Sequence, residues 1–323
     1  MTLLRVAGIS VEEEGTTILD NISFSQAKGR KIALAGETGS GKSTLMQTIA
    51  GFVQPSAGAV YLNDKKVRGP HDRLVPGHAD IAYLSQEFEL PQFLRVEQVL
   101  QYSNKLTSEE AKQLYDVCRI SHLAKRRTNQ ASGGERQRIA LARLLSTWPD
   151  LLLLDEPFSN LDMAHKKVLK SVIHDISQEF GITCILISHD PLDTLSWADE
   201  IMVLQQGKLI QLSSPEQLYK EPVNEYAASL FGKYNLVPAA AANSLFKIAF
   251  PESKQLLLRP ESIKLVAKSS VPATISGIHY FGSYYELEVQ TAEILLLLRT
   301  ESAEYQVGDT VYLELDEKAV WWV

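Results

Sequence analysis

Apolar and polar positions alternate through LLRVAGISVE and ILDNISFSQA on either side of the turn Gly15-Thr16-Thr17. A period of two predicts paired antiparallel strands with one buried face. The pattern then changes. KIALAG is a short continuous apolar run ending in glycine, and KSTLMQTIAGF places Leu45, Ile49 and Phe52 at helical spacing. Strand, loop and helix follow in that order. Pro55 and Gly58 interrupt the helix, GAVYLNDKKV reads as a hairpin element, and DIAYLSQ as a strand ending at Gln86. From Val96 to Arg127 the spacing is mostly helical, with Ser108-Glu109-Glu110 as a helix start. LLLLDE from Leu151 and ITCILISHD from Ile182 are apolar enough to be buried on both faces, and a helix from about Ala164 to Phe180 separates them. Strands buried on both faces and joined by helices predict an α/β fold with a mainly parallel sheet.

After Gly232 the character shifts to short alternating or apolar runs, with turns at Gly277, Gly282 and Gly308. A second, all-β domain is expected. The boundaries read as 1–232 for the first domain, with a helical subdomain at about 87–145, then a linker at 233–242 and the β domain at 243–323.

With 323 residues, 45% hydrophobic and 22% charged, the chain has the composition of an ordinary two-domain globular protein. Its net charge of -7 and lack of a long Lys/Arg block argue against a nucleic-acid backbone as the main partner. Cys118 and Cys184 have no metal-ligand spacing and read as reduced, partly buried thiols. The start of the chain lacks a basic segment followed by an apolar core, and no stretch reaches the ~18 apolar residues of a membrane span. A cytosolic chain is expected, and peripheral attachment to a membrane is compatible with it.

Chemistry enters at GETGSGKS, between the predicted strand and helix, which has the form G-x-x-x-x-G-K-[ST]. Gly36, Gly39 and Gly41 let the backbone wrap a phosphate, with Glu37, Thr38 and Ser40 between them and Thr44 continuing into the helix. Lys42 reaches the terminal phosphates and Ser43 offers an oxygen to Mg²⁺. A buried strand delivers Asp155 and Glu156 at its carboxyl end, where ligands bind in open α/β sheets. Asp155 suits the Mg²⁺ shell and Glu156 a base or orienter for water, the alternative being a helix cap or surface pair. His189 ends the next strand and suits a γ-phosphate contact, or a loop pair with Asp190. Gln86 ends another and suits Mg²⁺ or water. QASGGERQRIA sets Ser132, Gly133, Gly134 and Glu135 against a helix start, either as a plain loop or as bare N–H groups for an anion.

Taken in order, these residues resemble the ATP-binding cassette (ABC) ATPases over residues 1–232. Walker A lies at Gly36–Thr44, the Q-loop at Gln86, the signature at Ser132–Glu135, Walker B at Leu151–Glu156, the D-loop at Ser159–Asp162 and the switch histidine at His189. The resemblance implies a P-loop NTPase fold with an inserted helical subdomain, ATP and Mg²⁺ as cofactors, Ser43, Gln86 and Asp155 as metal ligands, and Glu156, His189 and Gln86 as the hydrolytic residues. It also implies a head-to-tail homodimer in which Ser132, Gly133, Gly134 and Glu135 face the partner's ATP, with Asp162 in the D-loop between them. Three departures stand out. Ala131 and Glu135 replace the usual leucine and glutamine, an acid near a triphosphate that would weaken closure unless Arg136 or Arg138 compensates. EEEG stands where an aromatic residue normally stacks on adenine. The helical stretch between Gln86 and Ser132 is short for the family.

The tail, with RPESIKL at Arg259–Leu265, is similar to the TOBE domain, a small OB-like barrel carried by many ABC importers. Its aromatics, Tyr280, Phe281, Tyr284, Tyr285, Trp321 and Trp322, are expected in the strand core, because acidic residues outnumber basic ones there and disfavour stacking on single-stranded nucleic acid. The implied function is the energy-coupling ATPase of an importer, held peripherally at the cytoplasmic face of the membrane. Its implied partners are integral-membrane permease subunits and, indirectly, an external solute-binding protein, with no nucleic acid. The solute, whether ferric iron, a polyamine, another ion or a sugar, is not legible, though the short tail leans toward a small ion or polyamine. The alternative is a soluble ABC ATPase acting on nucleic acid or ribosomes, disfavoured by the absence of a long coiled-coil insertion and of a second cassette.

Overall fold

In the computed structural model, which describes residues 1–159, 161–248, 253–316 and 320–323, the apolar run at Leu151 feeds two cores at once. Leu152 and Leu154 enter a core shared with helices, while Leu151 and Leu153 enter one shared with a second sheet. That is why the strand shows no alternation: both faces are covered. Each such leucine contributes about 1.5–3 kcal/mol by burial.

The chain divides into two compact units, Met1–Pro215 and Glu216–Val323. In the first, the elements run β1 (Thr2–Glu13), β2 (Thr16–Ala27), β3 (Lys31–Ala35), α1 (Lys42–Ala50), β4 (Ala57–Leu62), β5 (Lys65–Lys66), β6 (Ile81–Leu84) and α2 (Val96–Gln101). They continue with α3 (Ser108–Val117), α4 (Gly133–Leu145), β7 (Leu151–Asp155), α5 (Met163–Phe180), β8 (Thr183–Ile187), α6 (Pro191–Leu195), β9 (Glu200–Gln205) and β10 (Lys208–Ser213). A six-stranded sheet has the order β10-β9-β3-β8-β7-β6, all parallel except the edge strand β10. Because β3, β8, β7 and β6 are neighbours running the same way, their carboxyl ends gather on one edge.

The four-stranded sheet β2-β1-β4-β5 is antiparallel, as the alternating pattern predicts. The first turn differs slightly: Glu14 and Gly15 make it with positive φ, and Thr16 already starts β2. Between Val96 and Arg127 the helical spacing resolves into α2, α3 and single 3-10 turns, because Thr107 restarts the chain with its own capping box.

The second unit contains α7 (Pro215–Lys220), which begins at the boundary, α8 (Glu225–Ser229), β11 (Asn235–Pro238), α9 (Ala239–Phe246), β12 (Gln255–Leu258) and β13 (Ile263–Val266). It ends with β14 (Pro272–Tyr280), β15 (Tyr285–Gln290), β16 (Leu295–Thr300), β17 (Thr310–Leu315) and β18 (Trp321–Trp322). A three-stranded sheet β11-β12-β18 and a five-stranded sheet β13-β17-β14-β15-β16 enclose one core. Residues 216–232, assigned from the sequence to the first domain, fall in this unit. One residue explains it. Arg259, buried, donates to the carbonyls of Tyr219, Ala228, Gly232 and Lys233 and lies over the Tyr219 ring.

The segment 233–242, expected as a linker, forms β11 and the start of α9. The aromatics also depart from expectation. Tyr285 and Trp322 pack against the core, but Tyr280 is 66% exposed and Phe281 49%, at the tip of the β14–β15 hairpin. Phe281 stacks on Tyr284 there, and Arg299 covers Tyr284 from outside.

Candidate active site

The loop between β3 and α1 is shaped by its glycines. Gly36 has φ 151° and a Cβ there would stand 2.4 Å from the Leu204 carbonyl oxygen; Gly41 has φ 97° and a Cβ would meet Leu19 at 2.7 Å. No other residue fits either position without moving backbone or core. Gly41 caps α1 with no side-chain bond, so the first-turn N–H groups of the helix remain available to an anion. Lys42 is buried, and its ammonium donates to the carbonyls of Gly36 at 2.8 Å and Glu37 at 2.7 Å. Burial lowers its pKa, opposed by Glu156, Asp155 and Glu37. Ser40 Oγ is buried with no partner among the described residues, a further donor facing the loop. This cradle fits a polyphosphate.

Asp155 ends β7 only 4% exposed. Its Oδ2 accepts from the Tyr83 hydroxyl at 2.8 Å, and its Oδ1 is buried without a partner among the described residues. A buried carboxylate oxygen left open, with the exposed Ser43 hydroxyl at the start of α1, is a donor set for a hard divalent cation. Tyr83 is pushed up by burial and by the adjacent Asp155 charge, so it stays a donor.

Glu156 follows at φ 48°, in the left-handed region. This turn is how two successive residues come to serve one edge: a continued strand would send Glu156 to the opposite face. Its N–H donates to Ile187 O at 3.1 Å, and Ser159 bonds back to its carbonyl through N–H and Oγ. His189 Nε2 lies 2.5 Å from Glu156 Oε1, so the histidine pairs with Glu156 and not with Asp190, which caps α6 instead. Lys42, Asp155, Glu156 and His189 thus come together. Gln86 is exposed just beyond the end of β6.

Ser132 is the N-cap of α4. Its Oγ accepts the Glu135 N–H at 3.3 Å, while Glu135 Oε2 accepts the Ser132 N–H at 2.8 Å, a reciprocal capping box. The cation that pairs directly with Glu135 is Arg126, at 3.4 Å, while the Arg138 charge also helps to lower the Glu135 pKa. The reason is directional: a first-turn side chain leans back toward the loop before the helix, where Arg126 lies. Hydrogen bonding from the Ser132 N–H holds the Glu135 carboxyl below its ordinary value, against some burial and with help from Arg126. Gly133 is open to solvent, whereas a Cβ on Gly134 would stand 2.7 Å from the His165 ring. Asp162 caps α5 through the His165 N–H at 2.9 Å. Asn160, in the same loop, lies outside the described residues.

Sequence reasoning missed Tyr83, Arg126, His165 and Gln137, the last donating to Pro157 O at 2.9 Å and fixing α4 to the turn after Glu156. None belongs to a motif, and each acts through a residue distant in the chain. Only the spacing Ser132-x-x-Glu135 signalled its own local pairing.

The ABC transporter family matches residues 19–159 and the TOBE domain residues 256–323. The Fe(3+) ions import ATP-binding protein FbpC of Photorhabdus laumondii is 31% identical, over 93% of this chain and 91% of that protein. The spermidine/putrescine import ATP-binding protein PotA of Desulfitobacterium hafniense is 28% identical, over 97% and 95% respectively. The sulfate/thiosulfate import ATP-binding protein CysA of a Synechocystis species is 29% identical, over 92% and 89%. Among solved structures, cbiO1 of Clostridium perfringens, part of the cbiONQ ABC transporter complex, superimposes with TM-score 0.60 at 25% identity, covering 68% of this chain and 90% of that one.

Proposed function

This chain belongs to the ATP-binding subunits of ABC transporters, importer type with a TOBE domain, and from that premise we propose that it hydrolyses ATP as a head-to-tail homodimer driving an integral-membrane permease. The single observation carrying the proposal is the pairing of Glu156 with His189 beside the buried Lys42 and Asp155.

The chemistry follows from that arrangement. ATP phosphates occupy the N–H cradle of residues 36–44, with Lys42 releasing its loop carbonyls to take the terminal phosphates. Ser43, Asp155 and Gln86 would hold Mg²⁺, which would supply charge neutralisation to the phosphates. Glu156 orients the attacking water and accepts its proton. His189 steadies that carboxylate and supplies a donor on the γ-phosphate side.

Dimerisation is supported by the state of the signature. Ser132 and Gly133 are exposed at the start of the 13-residue helix α4, and nothing stands within 4 Å of where a Gly133 Cβ would be. An N-terminus of this length, preset by its capping box, suits a partner's γ-phosphate. Docking on a permease is supported by a groove of about 320 Å³ between the end of β6 and α4, lined by Tyr83, Phe88, Leu90, Ala140, Leu144 and Thr147 among others. Its mixed walls, with Glu89 and Arg143 beside the apolar side chains, suit a short amphipathic helix offered from a membrane protein. Among the described residues no helix is long and apolar enough to cross a membrane, which accords with a peripheral subunit at the cytoplasmic face.

The relatives' names span ferric iron, polyamines and sulfate within a narrow identity range, which supports a small ion or polyamine as the proposed solute. The test is Glu156→Gln with its effect on turnover and assembly measured together. ATP hydrolysis falls to background while ATP with Mg²⁺ shifts the variant to a dimer in size-exclusion chromatography. Undiminished hydrolysis, or a monomer at saturating ATP, would overturn the proposal.

A further inference from the structure

Among the described residues His189 pairs with one side chain, Glu156, and its own side chain is 47% exposed. Its placement therefore depends on the backbone on either side. Both neighbours are tied to Lys166 of α5, Asp190 directly and Ser188 through Asp193 of α6. Ser188 Oγ donates to Asp193 Oδ2 at 3.0 Å and accepts the Asp190 N–H at 3.2 Å. Asp190 Oδ2 accepts from the Lys166 ammonium at 2.6 Å, and Asp193 Oδ2 lies 3.0 Å from the same ammonium. Lys170, one turn further along α5, meets the other oxygen of Asp193.

Asp193 is a costly residue to place there. Its side chain is 1% exposed, and a buried carboxylate persists only when its charges and hydrogen bonds are matched. An apolar side chain would fill the same space more simply, so the retained charges point to a geometric role. Lys166 is in turn fixed to the loop before α5, since its N–H donates to Asp162 O at 2.9 Å. A cavity of about 180 Å³ is lined by Glu156, Ser159, Lys166, His189 and Asp193 together, so this network borders the reacting edge, and the bonds Lys166 makes run to the residues flanking His189. Burial opposes the charge on Lys166, while its bonds to Asp190 and Asp193 raise its pKa; the ammonium is the form that holds the loop.

We infer that Lys166 is a positioning residue, which with Asp193 locks the loop carrying His189 to the N-terminal turn of α5 so that the imidazole stays aligned on Glu156. The inference rests on the assignment of Glu156 and His189 as the hydrolytic pair. A displacement of the Asp162 loop, as on meeting a second copy, then moves His189 as well.

ATP hydrolysis by the full chain tests this with Lys166→Met, Lys166→Arg and the pair Lys166→Met/Asp193→Asn. Misplacing a catalytic group by a fraction of an ångström lowers kcat by about tenfold or more while leaving ground-state binding alone. Lys166→Met is expected to lose about tenfold in kcat with KM for ATP within about twofold, and Lys166→Arg to recover most of the loss. Because Lys166→Met alone leaves Asp193 with one ammonium fewer, the double variant keeps the test valid if the single one does not fold; it too is expected to fold and turn over slowly. A double variant with wild-type kcat, or Lys166→Met changing KM with kcat intact, would overturn the inference. Glu156→Gln and His189→Ala run alongside: wild-type rates in those two sink the hydrolytic assignment, whereas their inactivity with a normal Lys166→Met sinks only the positioning role.

Discussion

Ser132 and Glu135 satisfy each other's backbone N–H groups across the first turn of α4, at 3.3 and 2.8 Å. The acid at this signature position is thereby engaged in capping, with Arg126 behind it. Glutamine can make the same capping bond. Glu135→Gln is expected to change stability by about 0.5 kcal/mol or less and to keep ATP turnover, whereas Glu135→Ala loses about 1 kcal/mol. Since the folded-state pKa of Glu135 is lowered, its stabilisation is present above the unfolded pKa and is lost as pH falls through the folded pKa. The Tm advantage of the wild type over Glu135→Ala should therefore hold at neutral pH and shrink in acid. A constant gap across that range would show that the charge is immaterial.

A methyl group at Gly134 collides with the His165 ring. Gly134→Ala is accordingly expected to lower Tm even though alanine favours helix, and Gly134→Ala/His165→Ala to regain it, with a coupling energy of about 1 kcal/mol or more. Thermal unfolding of the four proteins in the cycle measures this. Additive effects would mean the ring swings aside at no cost.

Tyr83 is the donor that orients Asp155. Removing its hydroxyl leaves a buried carboxylate oxygen unpaired, at a cost of about 1–3 kcal/mol. In Tyr83→Phe the ATPase activity should need several-fold more Mg²⁺ to reach half its maximum, with the plateau changed less. A Mg²⁺ titration identical to wild type would relieve Tyr83 of that role.

How far the sequence led is clearest at the reacting edge. Asp155 and Glu156 were legible because an apolar run that stops abruptly at two acids has few structural explanations, and Lys42 because its glycine spacing serves one geometry. The neighbours β3, β8, β7 and β6 were not: strand order depends on crossovers and helix packing that no local pattern encodes. Likewise Arg126 precedes Glu135 by nine positions, outside helical spacing, so the sequence offered only the arginines on the helix itself. In the second unit a single buried arginine redraws where one unit ends and the next begins, and a lone RPES gives no hint of the carbonyls it gathers.

Arg259→Met tests that last point. The substitution strands the carbonyls of Tyr219, Ala228, Gly232 and Lys233 without their charged donor. A loss of about 3 kcal/mol or more is expected, from hydrogen bonds to a charged group worth ~1.5–3 kcal/mol each. Urea unfolding followed by tryptophan fluorescence reads it, since Trp321 donates to the Pro222 carbonyl in the same unit. An unchanged midpoint would mean the segment 216–232 is held by other contacts.

The left-handed backbone at Glu156 puts durability and work at odds in one residue. A side chain with a Cβ is held there at about 1 kcal/mol above glycine, which takes φ 48° freely. With Glu156 as the proposed base, a screen for heat resistance alone would therefore favour glycine at this position and return robust proteins slow to turn over ATP. Only a screen that also demands ATP turnover would keep the glutamate.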